Sequence, residues 1–203
     1  MQKGWTSKLG DWNSLAYWRS GEWQVVEERL IDYEKAGRTF CPAGDCLFRS
    51  LRCLGPGEVR VCLIGQDPYP NPDHASGLAF SVPSSVGAGS LPPTLRNIFA
   101  EYSSDLGYPT PKNGDLTKWV DQGVLLWNAY PSCFKGRPGS HHWPEWELLT
   151  QEIVHVLDQK GDVVFVLLGA SARRHNRFIK SPTIETSHPS PLGANKGFLG
   201  SRI

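Results

Sequence analysis

The stretch VRVCLIGQDPYP, Val59 to Pro70, decides how the chain is to be read. Its first half is an apolar run of strand length, broken only by Arg60. Its second half wedges a carboxylate, Asp67, between an amide and a proline. A short run that is apolar at nearly every position fits a strand covered on both faces, as in a parallel sheet flanked by helices. Pro68 and Pro70 stiffen the following turn, so Asp67 is held at the mouth of the sheet.

Three further segments resemble that run. GVLLWN (Gly123 to Asn128) and DVVFVLLG (Asp162 to Gly169) are apolar and end in a polar or small residue, and PTIETS precedes His188 as a fourth strand. Between them lie helical stripes. Trp23, Val26, Leu30 and Tyr33 fall on one face between Gly21 and Gly37, and Leu95, Ile98, Phe99 and Tyr102 follow Pro92 and Pro93. Pro144 to Leu157 forms a third helix, with Trp146, Leu149, Ile153 and Val156 inward and Pro144 in its first turn. Strands alternating with such helices give an α/β fold, a parallel sheet with helices on both faces. Ligands of such sheets bind outside the carboxyl ends of the strands. Gln66, Asp67, Asn128, Gly169 and His188 all follow those ends and are expected to converge.

The length of 203 residues suits one domain, taken as residues 1–203, and no repeat or low-complexity linker divides it. Hydrophobic content of 39% and charged content of 20% exclude a disordered chain. A net charge of +1 neither announces nor excludes nucleic acid, because a basic stripe on one face is invisible in a total. Cys41, Cys46, Cys53, Cys62 and Cys133 form no CxxC pair and have no histidine close by in sequence, so reduced thiols are expected and a metal site is not. The N-terminal MQKGWTSKLGDW has no apolar core of signal-peptide length, and no window approaches a membrane span. An intracellular protein is expected, cytoplasmic if bacterial, with no membrane partner and as a monomer.

Each candidate has an ordinary structural alternative. Asp67 before Pro68 suits a turn cap, Asn128 a loop tie, His188 a loop histidine and Phe80 a core position. HPSPLGANKGF, His188 to Phe198, is either a rigid surface loop anchored by Leu192 or a wedge. Proteins that kink or unstack a duplex insert apolar side chains between base steps, and Ser190, backbone amides and Lys196 would then grip phosphate.

Together these segments resemble the family 1 uracil-DNA glycosylases. GQDPYP matches the family's water-activating motif and HPSPL its leucine-intercalation loop. Between them, in the family's order, stand GLAFSV, SLPPTLRNIF, NGDL with QGVLLWNA, Ser140–His141 and LLGASA, with GFLGSR closing. The likeness runs from about residue 40 to the C-terminus. It implies a three-layer α/β/α fold with a central four-stranded parallel twisted sheet. It implies Asp67 as the residue that orients water and balances the sugar cation, and His188 as donor to uracil O2. It also implies Asn128 reading the O4 and N3 edge, Phe80 stacking on the ring, Tyr69 excluding the thymine methyl, and Gln66 contributing through its place in the motif. Pro93, Thr94, Gly169, Ala170, Ser190, Leu192 and Lys196 are the expected DNA contacts. No cofactor or metal is expected. The expected substrate is uracil in single- or double-stranded DNA, with a protein inhibitor as a further candidate partner.

The chain departs from the family pattern in several places. Pro70 stands where the motif usually ends in His, Ala170 where a small serine is usual, and YPSCFKGRPG is unlike the family's sequence after its asparagine. The sequence ends at Ile203, where family members continue with another helix and tail. Two rival classes remain at this point. One is a non-catalytic DNA- or partner-binding scaffold, against which the intact constellation speaks. The other is a nucleotide-binding α/β domain, which lacks its glycine-rich fingerprint.

Overall fold

All four apolar runs become strands of one sheet. The computed structural model describes residues 4–203, so the first three residues of the N-terminal stretch and of the 1–203 domain lie outside the described residues. In chain order, α1 (Glu22–Lys35) leads to a short strand β1 (Phe40–Cys41), α2 (Arg49–Cys53) and the central strand β2 (Val61–Gly65). Then come α3 (Pro93–Leu106), α4 (Thr117–Val120), β3 (Val124–Asn128) and β4 (Cys133–Phe134). The chain continues through α5 (Pro144–Lys160), β5 (Val164–Leu168), α6 (Gly169–Arg173) and β6 (Thr183–Thr186).

The four-stranded sheet has the order β3-β2-β5-β6, with every neighbouring pair parallel. Strands β2, β3 and β5 are buried at nearly every position, which is why their sequences are apolar without alternation. Strands β3 and β6 are the two edges, and TIET of β6 is the more polar and exposed. Trp127 lies on the face covered by α5, where its indole donates to Thr150. Val61, Leu63, Val124 and Val166 face the opposite way, toward Ile98 and Tyr102 of α3. Helices on both faces give the three-layer arrangement.

Helices α3 and α5 both begin with proline in their first turn, where a missing N–H costs nothing. On α5 the expected stripe is shifted slightly. Val154 and Leu157 are fully buried with Trp146, Leu149 and Ile153, whereas Val156 is half-buried. The strands start one or two residues later than the apolar runs, because Val59, Arg60, Gly123, Asp162 and Val163 serve as lead-ins. A second sheet was not anticipated. β1 and β4 pair antiparallel, Phe40 opposite Phe134 and Cys41 opposite Cys133, and two-residue strands carry no readable period.

The sheet and α5 are joined by one buried polar relay. Trp127 Nε1 donates to Thr150 Oγ1 at 2.9 Å, and that hydroxyl donates to the Ala129 carbonyl at 2.8 Å. Thr150→Val keeps the shape and strands both partners in the core, which costs about 1–3 kcal/mol. Urea denaturation should therefore show a lower midpoint for this variant with an unchanged slope.

Candidate active site

The parallel register brings the carboxyl ends of the inner strands to one level. Gly65 lies opposite Asn128 across β2 and β3, and β5 ends at Leu168 just before Gly169. The order of the sheet reverses about β2, so the crevice beyond these ends is the expected binding position. A cavity of about 380 Å³ opens there. Gln66, Asp67, Tyr69, Phe80, Thr94, Asn128, His188 and Ser190 all line it. Those eight expected site residues are brought together.

Gly65 explains why the walls stand so close. A Cβ at this position would lie 2.7 Å from Asn128 Oδ1 and 3.2 Å from the Phe80 ring. Only a residue without a side chain lets both approach the end of β2. Phe80 itself has φ +65, a conformation unusual for a residue with a side chain. Its carbonyl accepts a hydrogen bond from the Tyr69 hydroxyl at 2.9 Å, which fixes the tyrosine ring as one wall. Burial pushes the Tyr69 phenol pKa up, so it stays a neutral donor.

Asn128 is 8% exposed, and its side-chain amide has no hydrogen-bond partner among the described residues. A nearly buried amide left unpaired beside a cavity is a ready recognition group for a polar ligand edge. His188 is equally defined. Its Nδ1 accepts the Ser190 backbone N–H at 3.0 Å, so the proton of the neutral ring sits on Nε2. Burial lowers its pKa from 6.5, which favours that neutral form. Gly169, with φ +89, lies beneath it, and a Cβ there would come within 2.8 Å of His188 Cβ.

Asp67 has the densest set of contacts. Gln66 Nε2 donates to Oδ2 at 2.7 Å, and His142 Nε2 lies 2.9 Å from Oδ1 and 3.1 Å from Oδ2. His142 is the functional candidate that sequence reasoning missed. The likeness points to Ser140 and His141, and the structure gives those a different setting. Ser140 Oγ accepts from the Phe134 N–H and donates to the Arg137 carbonyl, closing a turn. His141 is fully buried between Trp143 and Tyr33, bonds Ser132, and has its pKa pushed down to about 4 by desolvation.

The remaining expected residues stand outside the cavity lining. Leu192 is 84% exposed, so it is no core anchor. Its loop is nevertheless braced, because Asn97 Nδ2 donates to the Pro189 carbonyl at 2.7 Å and Ser187 Oγ to the Gly193 carbonyl at 2.8 Å. Lys196, Pro93 and Ala170 are also exposed, with Pro93 opening α3 and Ala170 opening α6. None of the three lines the cavity. Among the described residues no cluster of three or more His, Cys, Asp or Glu is placed to hold a metal ion. No helix there is long and apolar enough to cross a membrane.

Comparisons with known proteins point to one family. The model of the uracil DNA glycosylase superfamily matches residues 53–201. A uracil-DNA glycosylase of the bacterium Thermobifida fusca is 46% identical over 168 residues, covering 82% of this chain and 72% of that one. The crystal structure of mimivirus uracil-DNA glycosylase superposes with a TM-score of 0.77 at 30% identity, over 83% of this chain and 63% of the viral one. A variant of the mimivirus protein, UNG, in complex with UGI gives a TM-score of 0.82 at 29% identity, covering 92% and 70%. The chain belongs to the family 1 uracil-DNA glycosylases, enzymes that excise uracil from DNA.

Proposed function

We propose that the cavity at the end of β2 receives a uracil swung out of the DNA stack and that its lining residues divide the chemistry among them. Phe80 stacks on the ring, and the free amide of Asn128 pairs with the O4 and N3 edge. Tyr69, fixed by its hydroxyl, occupies the space a thymine methyl would need. The glycosidic bond then breaks with its electron pair moving onto uracil. His188 Nε2–H donates to O2 and stabilises that anion, while the Asp67 carboxylate balances the cationic sugar and orients the water that attacks C1′. Gln66 helps fix that carboxylate. The water loses a proton as its oxygen bonds to C1′ and the uracil anion takes one up, leaving free uracil and an abasic site, with no metal or cofactor in the scheme.

The observation that carries this reading is the shared cavity. One side offers a carboxylate, another a neutral imidazole with its proton on Nε2, and between them lies an unpaired amide beside an aromatic wall. Base-flipping enzymes require such a pocket, since the target atoms cannot be reached inside a duplex. Outside it, Pro93, Thr94, Gly169, Ala170, Ser190 and Lys196 are proposed to grip the DNA backbone, and Leu192 to fill the gap the uracil leaves. The proposed substrate includes uracil in both single and double strands. The mimivirus complex makes UGI a proposed partner too. The chain is proposed to act inside the cell, as one monomeric domain over 1–203.

Asp67→Asn should lower the single-turnover rate by orders of magnitude while DNA affinity changes little, because a group acting in the transition state contributes little to ground-state binding. Parallel losses of rate and binding would count against the assignment.

Base selectivity gives a separate check. Tyr69→Ala should release some thymine, and Asn128→Asp some cytosine, since the new acceptor meets the cytosine amino group. Two folded variants with no new activity in a base-release assay would show that these walls are misassigned.

Leu192→Ala should slow excision from duplex DNA more than from a single strand, where less stacking has to be replaced. Its melting temperature should hardly move, whereas losing a buried leucine costs about 2–5 kcal/mol. Equal losses on both substrates would argue against a wedge.

A further inference from the structure

We infer that His142 is a positioning residue for Asp67, supplied from just beyond the stretch YPSCFKGRPG in which this chain departs from its family. The inference rests on the proposed role of Asp67 and extends it to a residue that no shared motif includes.

The geometry is specific. His142 Nε2 reaches both carboxylate oxygens, at 2.9 Å and 3.1 Å, while the Asp67 side chain is only 6% exposed. With Nε2 carrying a proton, the imidazole donates to the carboxylate and sets the plane of its two oxygens. Gln66 donates to Oδ2 from the other side. Two donors on one carboxylate leave its rotation about the Cβ–Cγ bond little freedom, so a lone pair stays turned toward the cavity.

His142 is itself held. Its ring stacks on Tyr130 with centroids 4.0 Å apart and planes 24° from parallel. The Tyr130 hydroxyl in turn accepts from Arg174 Nη2 at 3.0 Å. The backbone reinforces this order. Tyr130 N–H donates to the Gln66 carbonyl at 3.0 Å, and Gly136 N–H to the Pro70 carbonyl at 2.8 Å. The segment after β3 is therefore stitched along the motif that contains Asp67. Pro70 has no side-chain donor to offer the carboxylate, and His142 brings one from outside the motif.

A charge-assisted hydrogen bond that sets a reacting group is worth more than a neutral one, and its loss should cost about ten- to a hundredfold in rate. Two substitutions separate the hydrogen bond from packing. His142→Phe keeps an aromatic ring on Tyr130 and removes the donor, whereas His142→Gln keeps a donor and removes the ring. With a short single-stranded uracil oligonucleotide, H142F should lower kcat by about ten- to a hundredfold, with KM and melting temperature near those of the parent. H142Q should regain most of that rate. In an Asp67→Asn background, H142F should add less than about a twofold loss, since a residue acting through Asp67 has nothing left to position. A parent-like or faster H142F, a raised KM with unchanged kcat, or an undiminished loss in the Asp67→Asn background would each overturn the inference. Full activity of Asp67→Asn alone would instead remove the reading of Asp67 on which it rests.

Discussion

The site depends on one register. Because β2 and β3 run parallel with Gly65 opposite Asn128, the two strands end level, and the motif after one emerges beside the amide at the end of the other. The missing side chain of Gly65 then sets the width of the gap, admitting Asn128 Oδ1 and the Phe80 ring to positions a Cβ would forbid. A one-residue slip would turn Asn128 to the opposite face and bring Trp127 or Ala129 to the end of β2. The pairing continues past the strands, with Ala129 N–H on the Gly65 carbonyl and Tyr130 N–H on the Gln66 carbonyl. So the same register that makes the cavity also lays the segment carrying His142 against the motif that holds Asp67.

The two halves of the site are built by different means. The pocket is rigid because its members are buried and mutually fixed, with Tyr69 bonded to the Phe80 carbonyl and Phe80 held at a positive φ. Strain of that kind persists only where surrounding contacts over-determine the conformation. The loop that carries Leu192, proposed to face DNA, is held with little core of its own. Leu192 is exposed, and its loop is held by backbone acceptors, the Pro189 and Gly193 carbonyls, instead of by packing of its own side chain. A wedge has to be uncovered before it meets DNA, whereas a selective pocket has to be finished before the base arrives.

Much of this was legible because it is written in strong local signals. The five-residue strands are apolar at nearly every position and the fourteen-residue helices carry a one-sided stripe, and tertiary context overturns neither. Gln66, Asp67, Asn128 and His188 were legible for a topological reason, since each lies at or just past a strand end, and parallel strands deliver their ends to one edge. The short pairing of β1 with β4 was not legible, because Phe40–Cys41 and Cys133–Phe134 are too brief to show alternation. His142 was hidden differently. Two histidines stand side by side, and nothing local says which turns inward to Ser132 and which reaches Asp67. That choice is made by the stack of His141 on Trp143, of His142 on Tyr130, and by the turn that Ser140 closes before α5.

A motif is a set of neighbours in sequence, but a carboxylate responds only to distance. Asp67 takes one donor from the residue beside it and another from a histidine 75 positions later. The second is within reach because the segment after β3 is bonded along the motif, Tyr130 N–H to the Gln66 carbonyl. Pro70 at the end of the motif offers the carboxylate no side-chain donor, and His142 supplies one from a distant segment. Proline stiffens the turn and offers its carbonyl to Gly136, which draws the following segment inward. The motif and the segment after β3 are thus joined by the hydrogen bond from Gly136 to Pro70, and the stack of His142 on Tyr130 holds the imidazole at the carboxylate.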